Sequence, residues 1–267
     1  GLKRLEYRGY DSAGLAIIDC QSHGLKRQRV VGKVQELEKL LKNTALCSST
    51  GIAHTRWATH GKPTPDNAHP HVSRETVAVV HNGIIENHRA LRGELEQYGY
   101  EFQSDTDTEV IAHYIHYFLQ QGQDLETALY KTVPLLEGTY ALGVISTTAP
   151  ERLLAARRGS PLVVGIGIGE YFIASDAAAL VPVTQQVLFL EDGDIASLQR
   201  DKITITDFSG QPVTRPVYIS QLPADAAERG EYRHYMHKEI FEQPRALMAT
   251  LANRVSQGRV LAAAFGP

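Results

Sequence analysis

Residues 51–87 read GIAHTRWATHGKPTPDNAHPHVSRETVAVVHNGIIEN, and the rest of the chain is organised around them. Residues 50–57 have the length and composition of a short buried strand. The β-branched run at 76–80 reads the same way and ends at His81-Asn82-Gly83. Between the two lies a loop, residues 58–73, that contains Pro63, Pro65 and Pro70. Proline removes backbone donors and fixes an extended path, so the loop cannot be regular structure. A loop of this length in a compact domain is usually functional or disordered, and its histidines and prolines favour function.

On the C-terminal side, Asn87 is placed to cap a helix over residues 88–98. Leu91, Leu95 and Tyr98 share its inner face and Gly99 ends it. Thr106-Asp107-Thr108-Glu109 offers a capping box for a second helix, which turns Ile111, Tyr114, Ile115 and Phe118 to a core and stops at Gly122. A third helix is expected over about residues 125–136, weakened at its end by Pro134. From Tyr140 the period changes. TYALGVIS, RLLAARR, PLVVGIG, YFIASD, QQVLFLEDGDIASLQ and KITITD form a succession of short strands divided by Gly, Asp and Pro turns. On the N-terminal side, GLAIID at 14–19 is a strand candidate. Residues 32–42 carry Val34, Leu37 and Leu41 at helical spacing.

Strands, then helices, then strands again do not make repeating βαβ units. The pattern fits an α+β fold: a four-layer αββα sandwich of two mainly antiparallel sheets. This domain is expected over residues 1–220. Residues 221–231 have linker composition, and a connecting helix at 232–251 opens a further segment that runs to 267. Residues 1–7 look like the last turns of a helix begun upstream, and the C-terminal residues like the start of a helical region. Both ends therefore read as cut from something larger.

Bulk properties narrow the function by exclusion. A net charge of −3 and a pI near 6.4 give no electrostatic reason to expect nucleic acid or an anionic membrane as partner. No apolar run approaches the ~20 residues that span a bilayer. Two cysteines, Cys20 and Cys47, exclude a disulfide framework or a four-thiolate zinc site and fit a reducing compartment, which points to the cytoplasm. His54, His60, His69 and His71 match no zinc spacing, so no metal is expected. Gly165, Gly167 and Gly169 precede a strand rather than a helix, and read as a hairpin turn rather than a phosphate loop.

The remaining chemistry concerns an amide. Asn82-Gly83 is by itself a strong hairpin signal. The functional alternative is a side-chain amide and a glycine N–H that converge on one developing oxyanion. Arg56, at a strand end, can grip a carboxylate in a bidentate pair, or else form a surface ion pair. Asp107 suits a helix start through the dipole, yet could instead accept from an ammonium group. Arg56 and Asp107 together match the two charges at an amino acid's α-carbon.

RGYDSAG, GIAHTRWATHG, NAHPH, VHNGIIEN, SDTDTE and GSPLVVG, in this order, resemble the glutaminase domain of the glutamine:fructose-6-phosphate aminotransferase family, over residues 1 to about 230. RHYMHKEIFEQP resembles the segment leading into that family's sugar isomerase domain. The resemblance implies the N-terminal nucleophile hydrolase fold, with L-glutamine as substrate and no cofactor. Fructose 6-phosphate would be the acceptor in an isomerase domain, and the full-length protein a cytoplasmic homodimer. Asn82 and Gly83 resemble the oxyanion pair, and Arg56 and Asp107 the contacts to the α-carboxylate and α-amino group. Trp57, Thr59 and His60 belong to the loop that closes over glutamine, with Trp57 similar to the residue that controls ammonia passage. Arg8 and His69 resemble supporting positions. The family's nucleophile is a Cys in a Cys-Gly-Ile-Val-Gly start. No such motif occurs here, and neither Cys20 nor Cys47 has the free amine that would let it substitute. Two other readings stay open at this level: a glutamine-binding module without a nucleophile, and the glutaminase domain of another amidotransferase of the same fold.

Overall fold

The computed structural model describes residues 1–42, 44, 46–57, 61–221, 230–251, 255–256 and 259–260. They fall into two compact units, residues 1–224 and 225–267.

In the first unit a short helix α1 (Leu2–Leu5) and a 3-10 turn (Glu6–Arg8) lead into strands β1 (Ser12–Ile18) and β2 (Leu25–Val31). Helix α2 (Val34–Leu41) and strand β3 (Thr50–Arg56) follow. After the proline-rich loop come β4 (His71–Ser73), β5 (Val77–Ile85), α3 (His88–Gln97), α4 (Glu109–Gln120) and α5 (Leu125–Thr132). The remainder is strand: β6 (Gly138–Ser146), β7 (Ala149–Arg158), β8 (Val163–Ile166), β9 (Tyr171–Ala174), β10 (Gln186–Phe189), β11 (Ile195–Gln199), β12 (Lys202–Thr206) and β13 (Val217–Ile219).

These strands make a six-stranded sheet, β12-β11-β7-β6-β5-β4, and two smaller ones, β2-β1-β3 and β13-β10-β8-β9. Every pairing is antiparallel. Period-2 alternation along β5 and β6 explains how the layers stack. Val77 and Val79, with Tyr140, Leu142 and Val144, pack against Leu95, Ile111, Ile115 and Leu129 of α3–α5. The opposite face of the same strands presents Ala78, Val80, Ala141 and Ile145 to the smaller sheets. Small side chains here let the sheets approach: a Cβ on Gly143 would lie 2.7 Å from Ile173 and 3.0 Å from Val80. Val34 and Leu37 of α2 then cover the far side of the three-stranded sheet against Ala13. Each large buried side chain in these clusters contributes about 1.5–3 kcal/mol by leaving water. The result is helix, sheet, sheet, helix, the αββα sandwich read from the sequence.

Several local expectations are corrected. Strand β2 was not anticipated, because Lys26, Arg27 and Arg29 interrupt any apolar pattern; it forms by pairing along the whole of β1. Asn82-Gly83 is no hairpin tip: it lies inside β5, opposite Ala141 and Tyr140. Asn87 precedes α3 but makes no side-chain cap. Its amide instead donates to Leu135 O and accepts from Glu137 N–H, which ties α3 to the start of β6. The capping box at Thr106 is replaced by Glu109, whose carboxylate accepts from the backbone N–H groups of Gln103 and Ser104. Cys20 and Cys47 form a disulfide, with Cα atoms 5.5 Å apart. The register explains it, since Ile18 pairs with Thr50 across β1 and β3, so the residues just outside that pair must meet. The hairpin reading of Gly165–Gly169 agrees with the β8–β9 pairing. In the second unit α6 (Tyr235–Leu251) forms with Pro244 inside it, and Met236, Ile240, Phe241 and Leu247 are exposed.

Candidate active site

Among the described residues, β3 is an edge strand of one small sheet and β9 an edge strand of the other. Between these edges, floored by β5 and β6, lies a cavity of about 780 Å³. Arg8, Arg56, Trp57, His69, Asn82, Gly83 and Asp107 all line it, so seven site residues chosen from sequence converge on one space. Thr59 and His60 lie outside the described residues.

Each side chain is held by a different element. Arg56 ends β3 with 5 % exposure. Burial lowers the pKa of its guanidinium, opposed by the nearby charges of Asp11 and Asp107, and an arginine stays cationic throughout. Asp107 is also 5 % exposed and stands just before α4. Its Oδ2 accepts from Ile85 N–H at 2.7 Å, which fixes the carboxylate beside the end of β5. A buried cation and a buried anion therefore face one cavity, where low dielectric strengthens their pull on a zwitterion.

Gly83 has φ +139°, and a Cβ there would lie 2.0 Å from the Thr139 carbonyl oxygen, so only glycine fits. Trp57, 66 % exposed, rests against Gly9, where a Cβ would come within 2.4 Å of the indole. Arg8 extends to the other edge of the cavity: it donates to Asp176 Oδ2 at 2.7 Å and Ser175 Oγ at 3.1 Å, just beyond β9. Tyr7 also donates to Asp176 Oδ2, at 2.6 Å. Burial pushes the Asp176 carboxyl up, but the bonds from Tyr7, Ala178 N–H and Arg8 outweigh it and hold it ionised.

At the cavity lies a histidine cluster, of which sequence reasoning weighed His54, His69 and His71 as metal ligands, gave His69 a supporting place in the site and gave His81 no role. The ring of His54 stacks on His69, centroids 4.3 Å apart, and His69 packs edge-on to His71. His81 Nε2 faces the Thr139 carbonyl at 3.4 Å and so carries the proton; its Nδ1 then accepts from Thr108 Oγ1 at 2.9 Å. His69 Nδ1 accepts from His81 N–H, which leaves its Nε2–H to donate to Thr108 Oγ1 at 3.4 Å. Desolvation keeps these rings neutral, with His54 lowered to about 4, His71 to about 3 and His69 well below the usual histidine range. Among the described residues, no group of three His, Cys, Asp or Glu side chains is disposed to hold a metal ion.

The cavity walled by Arg56, Asp107, Asn82 and Gly83 lies within the part of the αββα frame that carries a glutamine amidotransferase domain. Residues 54–182 match the glutamine amidotransferase domain family. Over its whole length the chain is also similar to part of enzymes named glutamine–fructose-6-phosphate aminotransferase (isomerizing). It is 55 % identical over 267 residues to the enzyme of that name from Pseudomonas syringae pv. tomato, and 54 % identical to that of Escherichia coli K12. All of this chain is covered in both, against 44 % of either relative, so the chain spans less than half the length of the curated relatives it matches. Among solved structures it resembles glutamine phosphoribosylpyrophosphate amidotransferase from B. subtilis, with a TM-score of 0.64 and 25 % identity. That match covers 79 % of this chain and 46 % of the other. The fold is accordingly that of the N-terminal nucleophile amidotransferases.

Proposed function

We propose that residues 1–220 bind L-glutamine in this cavity and, once a nucleophile is present, hydrolyse its side-chain amide. The ammonia would pass to a sugar isomerase domain that begins in residues 232–267. The observation that carries the proposal is the convergence of Arg56, Asp107, Asn82 and Gly83 on one cavity. Arg56 would hold the α-carboxylate by a bidentate pair and Asp107 the α-ammonium. The side-chain amide would then lie towards Asn82 and Gly83.

The nucleophile would enter on an extended segment laid between the free edges of β3 and β9. Among the described residues neither edge pairs with a further strand, and the walls include Ile52, Val80, Ala141, Gly143 and Ile173. An apolar strand with small residues suits such a slot, because it satisfies two sheet edges at once. A cysteine at its start would attack the glutamine Cδ as thiolate, with its own α-amino group taking the thiol proton. The tetrahedral oxyanion would accept from the Asn82 amide and the Gly83 N–H. Collapse breaks the C–N bond, the ammonium group returns the proton to the leaving ammonia, and a thioester remains. Water then cleaves the thioester to glutamate and regenerates the thiol. Trp57, Thr59 and His60 would close over the bound amino acid, with Trp57 controlling the passage of ammonia. Arg8 and His69 would support the site.

By similarity to relatives named for that reaction, the full-length protein would transfer the ammonia to fructose 6-phosphate, acting as a homodimer in the cytoplasm. The test is an electrophilic glutamine analogue applied to the full-length protein. Stoichiometric labelling of an N-terminal cysteine, blocked by excess L-glutamine, is expected; an unlabelled, correctly processed protein would count against the proposal.

A further inference from the structure

We propose that His54 is a positioning residue for the oxyanion site, fixing which arm of the Asn82 side-chain amide faces the cavity. The inference rests on the glutamine-hydrolysing reading above. An asparagine amide has two ends of nearly equal shape and opposite chemistry, and only the NH2 end can donate to an oxyanion. A half-turn about the last side-chain bond would present the carbonyl oxygen instead and repel the developing negative charge. Something must therefore choose between the two.

His54 makes that choice in this structure. Its Nε2 lies 2.8 Å from Asn82 Oδ1. A carbonyl oxygen only accepts, so the ring must donate Nε2–H, and the Nδ2 arm is left for the cavity that Asn82 lines. The ring has little freedom to do otherwise. Its flat face stacks on His69, which is itself held by His81 N–H and Thr108 Oγ1. Its second nitrogen, Nδ1, is buried and has no hydrogen-bond partner among the described residues. An unpaired buried nitrogen costs less as a lone pair than as a stranded N–H in this apolar setting, and carbonyl-facing Nε2 takes the proton.

His54 and Arg56 are two residues apart on β3, so one strand carries both the orienter of Asn82 and the proposed carboxylate clamp. The amide Oδ1 would accept from His54 before substrate arrives, which makes the donor preorganised rather than recruited.

The experiment uses glutamine hydrolysis by the full-length protein with His54→Phe and His54→Gln. Phenylalanine keeps the stack on His69 and removes the donor; glutamine places an N–H2 near the site of Nε2. Since loss of one oxyanion donor costs about 10²–10³ in kcat, misdirecting it should cost about 10- to 100-fold. His54→Phe is expected to show that loss with KM for glutamine within about threefold of the parent, and His54→Gln to recover most of the rate. An unchanged kcat in His54→Phe, or equal losses in both variants, would overturn the proposal. Nitrogen-15 NMR of the imidazoles in the unsubstituted protein supplies an arm that needs neither variant to fold nor any turnover. His54 protonated at Nε2 near neutral pH supports the assignment, and the Nδ1–H form overturns it. A parent enzyme that does not hydrolyse glutamine would sink the functional reading, while the NMR result still decides the orientation of Asn82.

Discussion

Thr108 Oγ1 stands 2.9 Å from His81 Nδ1, so the residue after Asp107 is bonded to the residue before Asn82. The start of α4 and the middle of β5 are thereby fastened at the two positions that bring Asp107 and Asn82 to one cavity. Asp107 adds a second tie through Ile85 N–H. Removing the hydroxyl leaves His81 Nδ1 buried without a donor, a loss of about 1–3 kcal/mol. Thr108→Val should therefore lower the free energy of urea unfolding by that amount, whereas Thr108→Ser should stay within about 1 kcal/mol of the parent because it keeps the hydrogen bond. Equal stability of Thr108→Val and the parent would mean that this bond contributes nothing.

Two glycine substitutions should have opposite signs. At Gly83 an alanine Cβ would meet the Thr139 carbonyl oxygen at 2.0 Å, backbone against backbone, at φ +139°. Strain of that kind costs about 2–4 kcal/mol. Gly93 sits inside α3 with nothing within 4 Å of a new Cβ, and Gly93→Ala should gain about 0.5–1 kcal/mol from helix propensity. Urea unfolding of the two variants side by side checks both.

Trp57 is the only tryptophan, which makes it a reporter of its own packing. Gly9→Ala places a Cβ 2.4 Å from the indole and must displace the ring. The expected result is a red-shifted emission with easier acrylamide quenching, since the ring loses the backbone it rests on. An emission spectrum unchanged from the parent would contradict the contact.

How much of this was legible in sequence follows from the range of the interactions. Arg56, Asp107 and Asn82 could be chosen because each carries its chemistry in its own side chain, and Gly83 because it follows Asn82 and adds a backbone N–H. The layer order followed from the succession of strands, helices and strands, and the structure shows alternate residues of Val77–Val80 facing opposite layers. What could not be read depends on register between distant strands. The Cys20–Cys47 link requires that β1 pair with β3, and β2 exists because it has β1 to pair with. His54 was available as a signal, for it shares a strand face with Arg56 at a spacing of two, yet its bond to Asn82 needs β3 and β5 side by side. The role of Asn87 was misassigned because helix-cap statistics say nothing about a strand end, near Glu137, that competes for the same amide.

The histidine cluster sets a pH dependence whose sign can be worked out. Burial lowers His54 from an ordinary 6.5 to about 4 and His71 to about 3, and lowers His69 and His81 as well. The unfolded chain therefore binds more protons than the folded one between about pH 6.5 and 4, so stability rises with pH across that window. The contribution is complete above about 6.5 and is lost on acidification towards the folded values. Thermal unfolding should show Tm near its plateau at pH 7.5 and falling steadily from pH 6.5 to 4.5. A Tm independent of pH over that interval would mean that the rings are solvated in the folded state.

The central claim is that Arg56 and Asp107 make this cavity a receptor for the α-carbon charges of glutamine. Titration calorimetry of L-glutamine into the chain, compared with Asp107→Asn, tests it most directly, because asparagine keeps an oxygen to accept from Ile85 N–H and removes only the charge. One saturable site is expected in the parent, with affinity reduced about 10- to 100-fold in Asp107→Asn for the loss of a charged hydrogen bond. Absence of binding in the parent, or equal affinity in both proteins, would contradict it.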